Sequence, residues 1–220
     1  GDACTGGKCD RRGEYLKAAT DLLISDLEWI VGQWGDSGAA RIEVTADEDA
    51  GIAAILTGMG SLSYGETAGE RMRLGVMLTD PEEEHSCFAD NTHNDHYYNG
   101  VGIQSVYLGS YTGIDGSVVS GPSLSDLVAA TDAELDLEMK GKLSDAVLAL
   151  GRIKTAAEAG FTYDMMLARG NEAGEALIMG GVNGLVDQTR SIERVIAALG
   201  ADVIEREVPD SLDNPSAVFE

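Results

Sequence analysis

The three histidines of the chain all fall between Thr79 and Tyr111, in TDPEEEHSCFADNTHNDHYYNGVGIQSVYLGSY, together with an acidic triplet and the third cysteine. His93 and His96 stand one helical turn apart. Continuing that helix puts Gly100, Ile103 and Tyr107 on the same face, at offsets of 7, 10 and 14 from His93, so two imidazoles open an apolar stripe. Histidines in such a place commonly serve as core or boundary residues with ordinary hydrogen-bond partners. With His85 and nearby carboxylates, Asp90 among them, they also make a mixed nitrogen and oxygen set that suits iron, zinc or copper. The spacing His93-Asn94-Asp95-His96 is not HExxH, the zinc-peptidase pattern that sets its histidines four apart around a glutamate.

A second group of chemical interest lies upstream. From Ile52, the helical period gathers Ile55, Leu56, Met59, Leu62 and Ser63, and then Glu66, Glu70 and Arg73, on one face. Apolar residues give way to charged ones on the side expected to be buried. Either Arg73 neutralises a glutamate, or the pair looks into a polar cavity holding a cation, or the helix emerges into solvent near Glu66. The candidate metal ligands are therefore Glu66, Glu70, His85, Asp90, His93 and His96; no catalytic residue is assigned.

The elements that must position these groups are helical. Of 220 residues 44% are hydrophobic, only 5% aromatic, and four are proline. Abundant Ala, Leu and Glu at helical spacing predict an all-α chain. Amphipathic helices are predicted over 12–34, 48–78, from a start at Asp90-Asn91-Thr92 through Tyr107, 131–155 and 171–199. Residues 39–46 read as a connector with some extended character, 110–122 as a Gly/Ser loop suited to a hinge or lid, and 160–170 as irregular. Asp80-Pro81-Glu82-Glu83 carries a helix-start signal. Ser123-x-x-Asp126 opens a short helix to Ala130, and Thr131-x-x-Glu134 is a capping box. The result is an up-and-down bundle of four long helices plus short ones. Residues 1–11 form a cysteine-bearing segment, 12–200 the bundle and 201–220 an acidic extended tail. Ligand sites in such bundles are built from inward side chains of facing helices, so the Glu66/Glu70 face is expected to meet His93/His96.

The formal charge of −23 argues against nucleic acid and anionic lipid as partners, because phosphate recognition needs clustered Lys and Arg. No run approaches the roughly 18 apolar residues of a membrane span, and any export signal is expected to have been removed. Cys4 and Cys9 could close a small disulfide loop in an oxidising compartment. Cys87 is then odd, a free thiol read as a small packed side chain rather than a nucleophile.

The segments RRGEYLKAATDLLISDLEWIV, ILTGMGSLSYGETAGERM, LTDPEEEHSCFADNTHNDHYYNGVGIQSVYLGSY, GNEAGEALI and SLDNPSAVF resemble the C-terminal half of the imelysin-like family, in particular its branch called iron-regulated protein A. The matching positions include Gly69–Met72 and Phe88–Asp95. The resemblance implies an all-helical fold, residence in the bacterial periplasm or on the outer surface, and metal binding for iron uptake. It further implies the N-terminal half of the same protein as partner, and uptake components of the periplasm or outer membrane beyond it. The family also carries a peptidase label. Its GxHxxE motif is absent from this sequence, as is HExxH, so peptidase activity is disfavoured beside a metal-binding or interaction role.

Overall fold

The computed structural model describes residues 6–201 and 208–219. The Cys4–Cys9 pairing involves a residue outside that set; Cys9 is itself disulfide-bonded. The chain divides into two compact units, Gly1–Ile52 and Ala53–Glu220, with the boundary inside one helix.

The first unit consists of α1 (Cys9–Gln33), α2 (Ala39–Thr45) and the start of α3 (Glu48–Gly60). The stop after α1 is as predicted: Trp34 caps it and Gly35 follows in a turn. The connector expected over 39–46 is instead the helix α2. Ile42 and Val44 are β-branched, but seven residues between a turn and Asp47 offer no strand partner, so local helical bonds win over strand propensity.

The second unit is built from rods. The remainder of α3 runs into a π-helical stretch, Ser61–Arg73, and then α4 (Leu74–Leu78). A single helical rod therefore spans 48–78 as predicted, but its middle is wound with i→i+5 bonds, as in Leu74 N–H to Gly69 O. After 3₁₀ turns at Pro81–Glu83 and Cys87–Ala89 comes α5 (Thr92–Leu108). Asp80 does cap this passage, its carboxylate accepting from Glu82 N–H at 3.0 Å, but for one turn only. The Gly/Ser loop is a small antiparallel hairpin, β1 (Ser110–Thr112) with β2 (Val118–Ser120). Then follow α6 (Leu124–Thr131), α7 (Ala133–Glu158), α8 (Tyr163–Leu167), α9 (Glu172–Leu199), α10 (Asp210–Asp213) and a 3₁₀ turn at Pro215–Phe219. Ser123 opens α6 as predicted, and with Asp126 it forms a capping box. For α7 the cap is Asp132, one residue beyond the predicted Thr131.

The π-helical rod, α9, α7 and α5 pack in a ring, each against the next, with α5 closing on the π-helical stretch. This is an all-α bundle. Met139, Leu143, Ala146, Leu150 and Ile153 of α7 are fully buried, as are Ile178, Leu185 and Ile192 of α9. A polar tie keys the rods in register: Ser63 Oγ donates to Leu185 O at 3.0 Å and accepts from Gln188 Nε2 at 2.8 Å. A second joins α5, α6 and α7, where buried Asp136 accepts from Tyr107, Ser125 and Lys140. Burial alone would raise the Asp136 pKa, but these three donors hold it below the usual carboxylate range. The tail is not simply extended. Pro209 and Ser211 are buried, with Ser211 Oγ donating to Gly69 O at 2.9 Å. Gly69 is required there, because a Cβ would sit 2.3 Å from the Pro209 ring.

Candidate functional site

The site lies in the second unit, where α5, the π-helical stretch, the 81–89 segment and α8 come together. Asn91 precedes α5 and leads into it, and the helical period then turns Thr92, His96, Gly100, Ile103 and Tyr107 inward. The stripe predicted from sequence is thus observed, with one change: His96 is fully buried, while His93 sits at the boundary. His93 Nε2 faces Asn94 Nδ2 at 3.2 Å.

His96 is the centre of the arrangement. Its ring stands edge-on to Tyr163 of α8, centroids 5.2 Å apart, and 6.4 Å from the ring of His85. Neither ring nitrogen has a hydrogen-bond partner among the described residues. The same holds for His93 Nδ1, Glu84 Oε2 and the Tyr163 hydroxyl. Each buried polar atom left in this way costs about 1–3 kcal/mol, which stable folds tolerate chiefly where a ligand or ordered water is to be met. Burial, reinforced by His85, Arg71 and His93, holds the His96 pKa down to about 3. The ring is therefore neutral at physiological pH, offering one N–H and one lone pair. Burial, joined by the charges of Asp164 and Asp90, raises the Glu84 pKa against the opposing Thr92 hydroxyl. The Tyr163 phenol is likewise pushed up, by burial and then by Glu84.

Beside His85, an open pocket of about 600 Å³ is lined by Arg71, His85, Asn91, Asn94, Asp95, Tyr98 and Asn99. Its wall is held by hydrogen bonds. Asp95 accepts from Ser86, Asn94 Nδ2 donates to Asn91 Oδ1 at 2.8 Å, and Lys154 Nζ donates to Asn94 Oδ1 at 2.8 Å. Arg71 pairs with Glu66 at 2.6 Å. The pocket thus carries carboxamides, one guanidinium, one carboxylate and one imidazole.

Of the six residues singled out as metal ligands, His85 and His96 are brought near each other and His93 stands at the edge. Glu66 is taken by Arg71 rather than Arg73, whose guanidinium instead reaches Met179 Sδ at 3.2 Å. Glu70 and Asp90 are exposed. For Glu66 and Glu70 the cause is the winding: a π-helix carries more residues per turn than the 3.6 of an α-helix, so a face projected at the α period drifts off the buried side beyond Ser61; Asp90 instead caps the short 3₁₀ turn before α5. Among the described residues, no three His, Cys, Asp or Glu side chains converge to hold a metal ion. The described residues therefore do not complete a metal centre by themselves. Arg71, Glu84 and Tyr163 were outside the sequence-derived set. Tyr163 was hidden in the stretch read as irregular, where Thr162-x-Asp164 was the signal for α8. Cys87 is free. Its thiol is pushed up by desolvation and by Glu82 and Glu84, which suits an inert thiol and not a nucleophile.

A helical bundle with a polar pocket beside a buried, neutral imidazole is the class of protein that fold and site define. The sequence profile described as Imelysin, a peptidase-labelled family, matches residues 3–192, and the chain belongs to the imelysin family. A comparison with curated proteins gave no match. Among the described residues no helix is long and apolar enough to cross a membrane.

Proposed function

We propose that this chain is the ligand-holding C-terminal half of an imelysin-type protein that binds metal, iron first, for uptake at the periplasmic or outer cell surface, and that it is not a peptidase. The observation that carries the reading is His96: fully buried, neutral, with both ring nitrogens unpartnered, beside His85 and a polar pocket. A neutral imidazole is the ligating form of histidine. Because the described residues offer too few converging donors, the remaining ligands come from the N-terminal half, seated over the Arg71/His85/Asp95 pocket. Hard oxygens from that half with imidazole from this one suit iron over softer ions.

The test is calorimetric titration of Fe(II) and Zn(II) into the chain alone and into the chain joined to its N-terminal half. The joined protein takes up one metal at micromolar concentration, the chain alone binds at least tenfold more weakly, and His96→Leu abolishes the difference. Absence of micromolar binding in the joined protein would contradict the reading and leave a non-catalytic interaction domain.

A further inference from the structure

Helix α5 and the hairpin that follows it face each other across a gap. The helical period gathers Tyr98, Val101, Gly102 and Val106 on one face of α5, opposite the inward stripe of His96, Ile103 and Tyr107. In the hairpin Tyr111 and Val119 are register partners, so their side chains share a face. These two faces line one cavity of about 700 Å³. They do not fill it: Tyr98, Val106, Tyr111 and Val119 are each 49–67% exposed. None of the paired residues of β1 and β2 is buried, although a two-stranded hairpin without packing is marginal in water. The volume is that of small-molecule sites, which run from roughly 300 to 1,000 Å³. Tyr98 is the single lining residue shared with the Arg71/His85 pocket, so this is a separate site.

The lining decides what the cavity takes. Among the described residues no Asp, Glu, Lys, Arg or His lines it, and residues 97–125 hold one charged side chain, Asp115, in a chain of which 24% is charged. An anion meets no base there, and must also approach a molecule of net charge −23. A cation would leave water without gaining a carboxylate. What matches is a neutral body, to which two phenol rings and three valines offer π and apolar faces. Gly102 leaves room for it. A Cβ at that position would meet nothing within 4 Å, although glycine inside a helix is unfavourable beside alanine. Gly141 and Gly180 are as open, so the glycine alone selects nothing; at 102, however, a side chain would project into the cavity.

We infer that the cavity between α5 and the β1–β2 hairpin binds a neutral, aromatic small molecule, held against Tyr98 and Tyr111 over the bare backbone of Gly102.

Fluorescence titration of the intact chain with N-phenyl-1-naphthylamine, an uncharged aromatic dye that brightens on leaving water, tests this. One dye binds per chain with a dissociation constant on the order of 10 µM, the range a molecule of its size reaches in a pre-formed pocket. Gly102→Leu, whose new side chain occupies the cavity, weakens binding about tenfold with helix content by circular dichroism unchanged, and Tyr111→Ala weakens it to a similar degree. Gly141→Leu, the same change at an open glycine of α7 away from the cavity, leaves binding as it was. The anionic dye 8-anilinonaphthalene-1-sulfonate binds about tenfold more weakly than the neutral one. No brightening, equal binding of the two dyes, or binding indifferent to Gly102→Leu overturns the inference. So does a dimer in sedimentation that Gly102→Leu breaks up, since the cavity would then be covered by a second copy.

Discussion

His96 stands out because its chemistry and its surroundings disagree. An imidazole with two polar atoms is packed where no group among the described residues answers either of them. If the ring is held for a ligand and not for the fold, replacing it with Leu removes the unmet demand while keeping the volume. His96→Leu is then expected to leave stability at pH 7 unchanged or raise it by about 1–2 kcal/mol, measured by urea denaturation. A loss beyond about 2 kcal/mol would show that the ring is a satisfied core residue. The pH dependence has a definite sign. With a folded-state pKa of about 3, below the ordinary 6.5, the unfolded chain takes the proton first. The stability contributed by the neutral ring is therefore full above about 6.5 and is lost as pH falls towards 3, by up to about 1.4 kcal/mol per unit. Glu84, with its raised pKa, works in the opposite sense, so the readout is the difference between the wild type and His96→Leu, which widens as pH drops from 7 to 4. A gap that does not change with pH would contradict the burial argument.

At the scale of elements, the legible parts of the fold were those whose period comes from packing alone. The seams of α7 and α9 and the inward face of α5 could be read from sequence because straight α-helices in a bundle repeat every 3.6 residues. The π winding of Ser61–Arg73 could not, since i→i+5 bonding is a compromise with neighbours that no local propensity encodes. Gly58, Gly60, Gly65 and Gly69 were its only trace in the sequence. The error propagated to chemistry: Glu66 and Glu70 were projected inward, and Arg71, the residue that reaches the pocket, was passed over in favour of Arg73. Short elements were harder to read: β-branched Ile42 and Val44 masked α2, Gly and Ser hid the hairpin, and with α8 went Tyr163. The tail depends on the same π-helical stretch. Gly69→Ala places a methyl group against Pro209, which is expected to cost about 1–3 kcal/mol or to detach residues 208–219. Faster proteolytic clipping of that tail in the variant would show the latter; unchanged stability together with unchanged clipping would contradict the contact.

Taken as a whole molecule, the chain joins an acidic surface to a polar site in its second unit. The strong negative charge attracts cations to the surface without fixing any of them, and the described residues supply imidazoles in place but not a full ligand set. The account rests on His96 being a neutral ring that waits for a ligand. Nitrogen-15 NMR of the histidine side chains, recorded from pH 7 to pH 4 and then with Zn(II) and the N-terminal half added, tests this most directly. The His96 ring is predicted to remain neutral down to pH 4 and to shift only when both additions are present. A ring that titrates near 6.5, or one that ignores both additions, would contradict it.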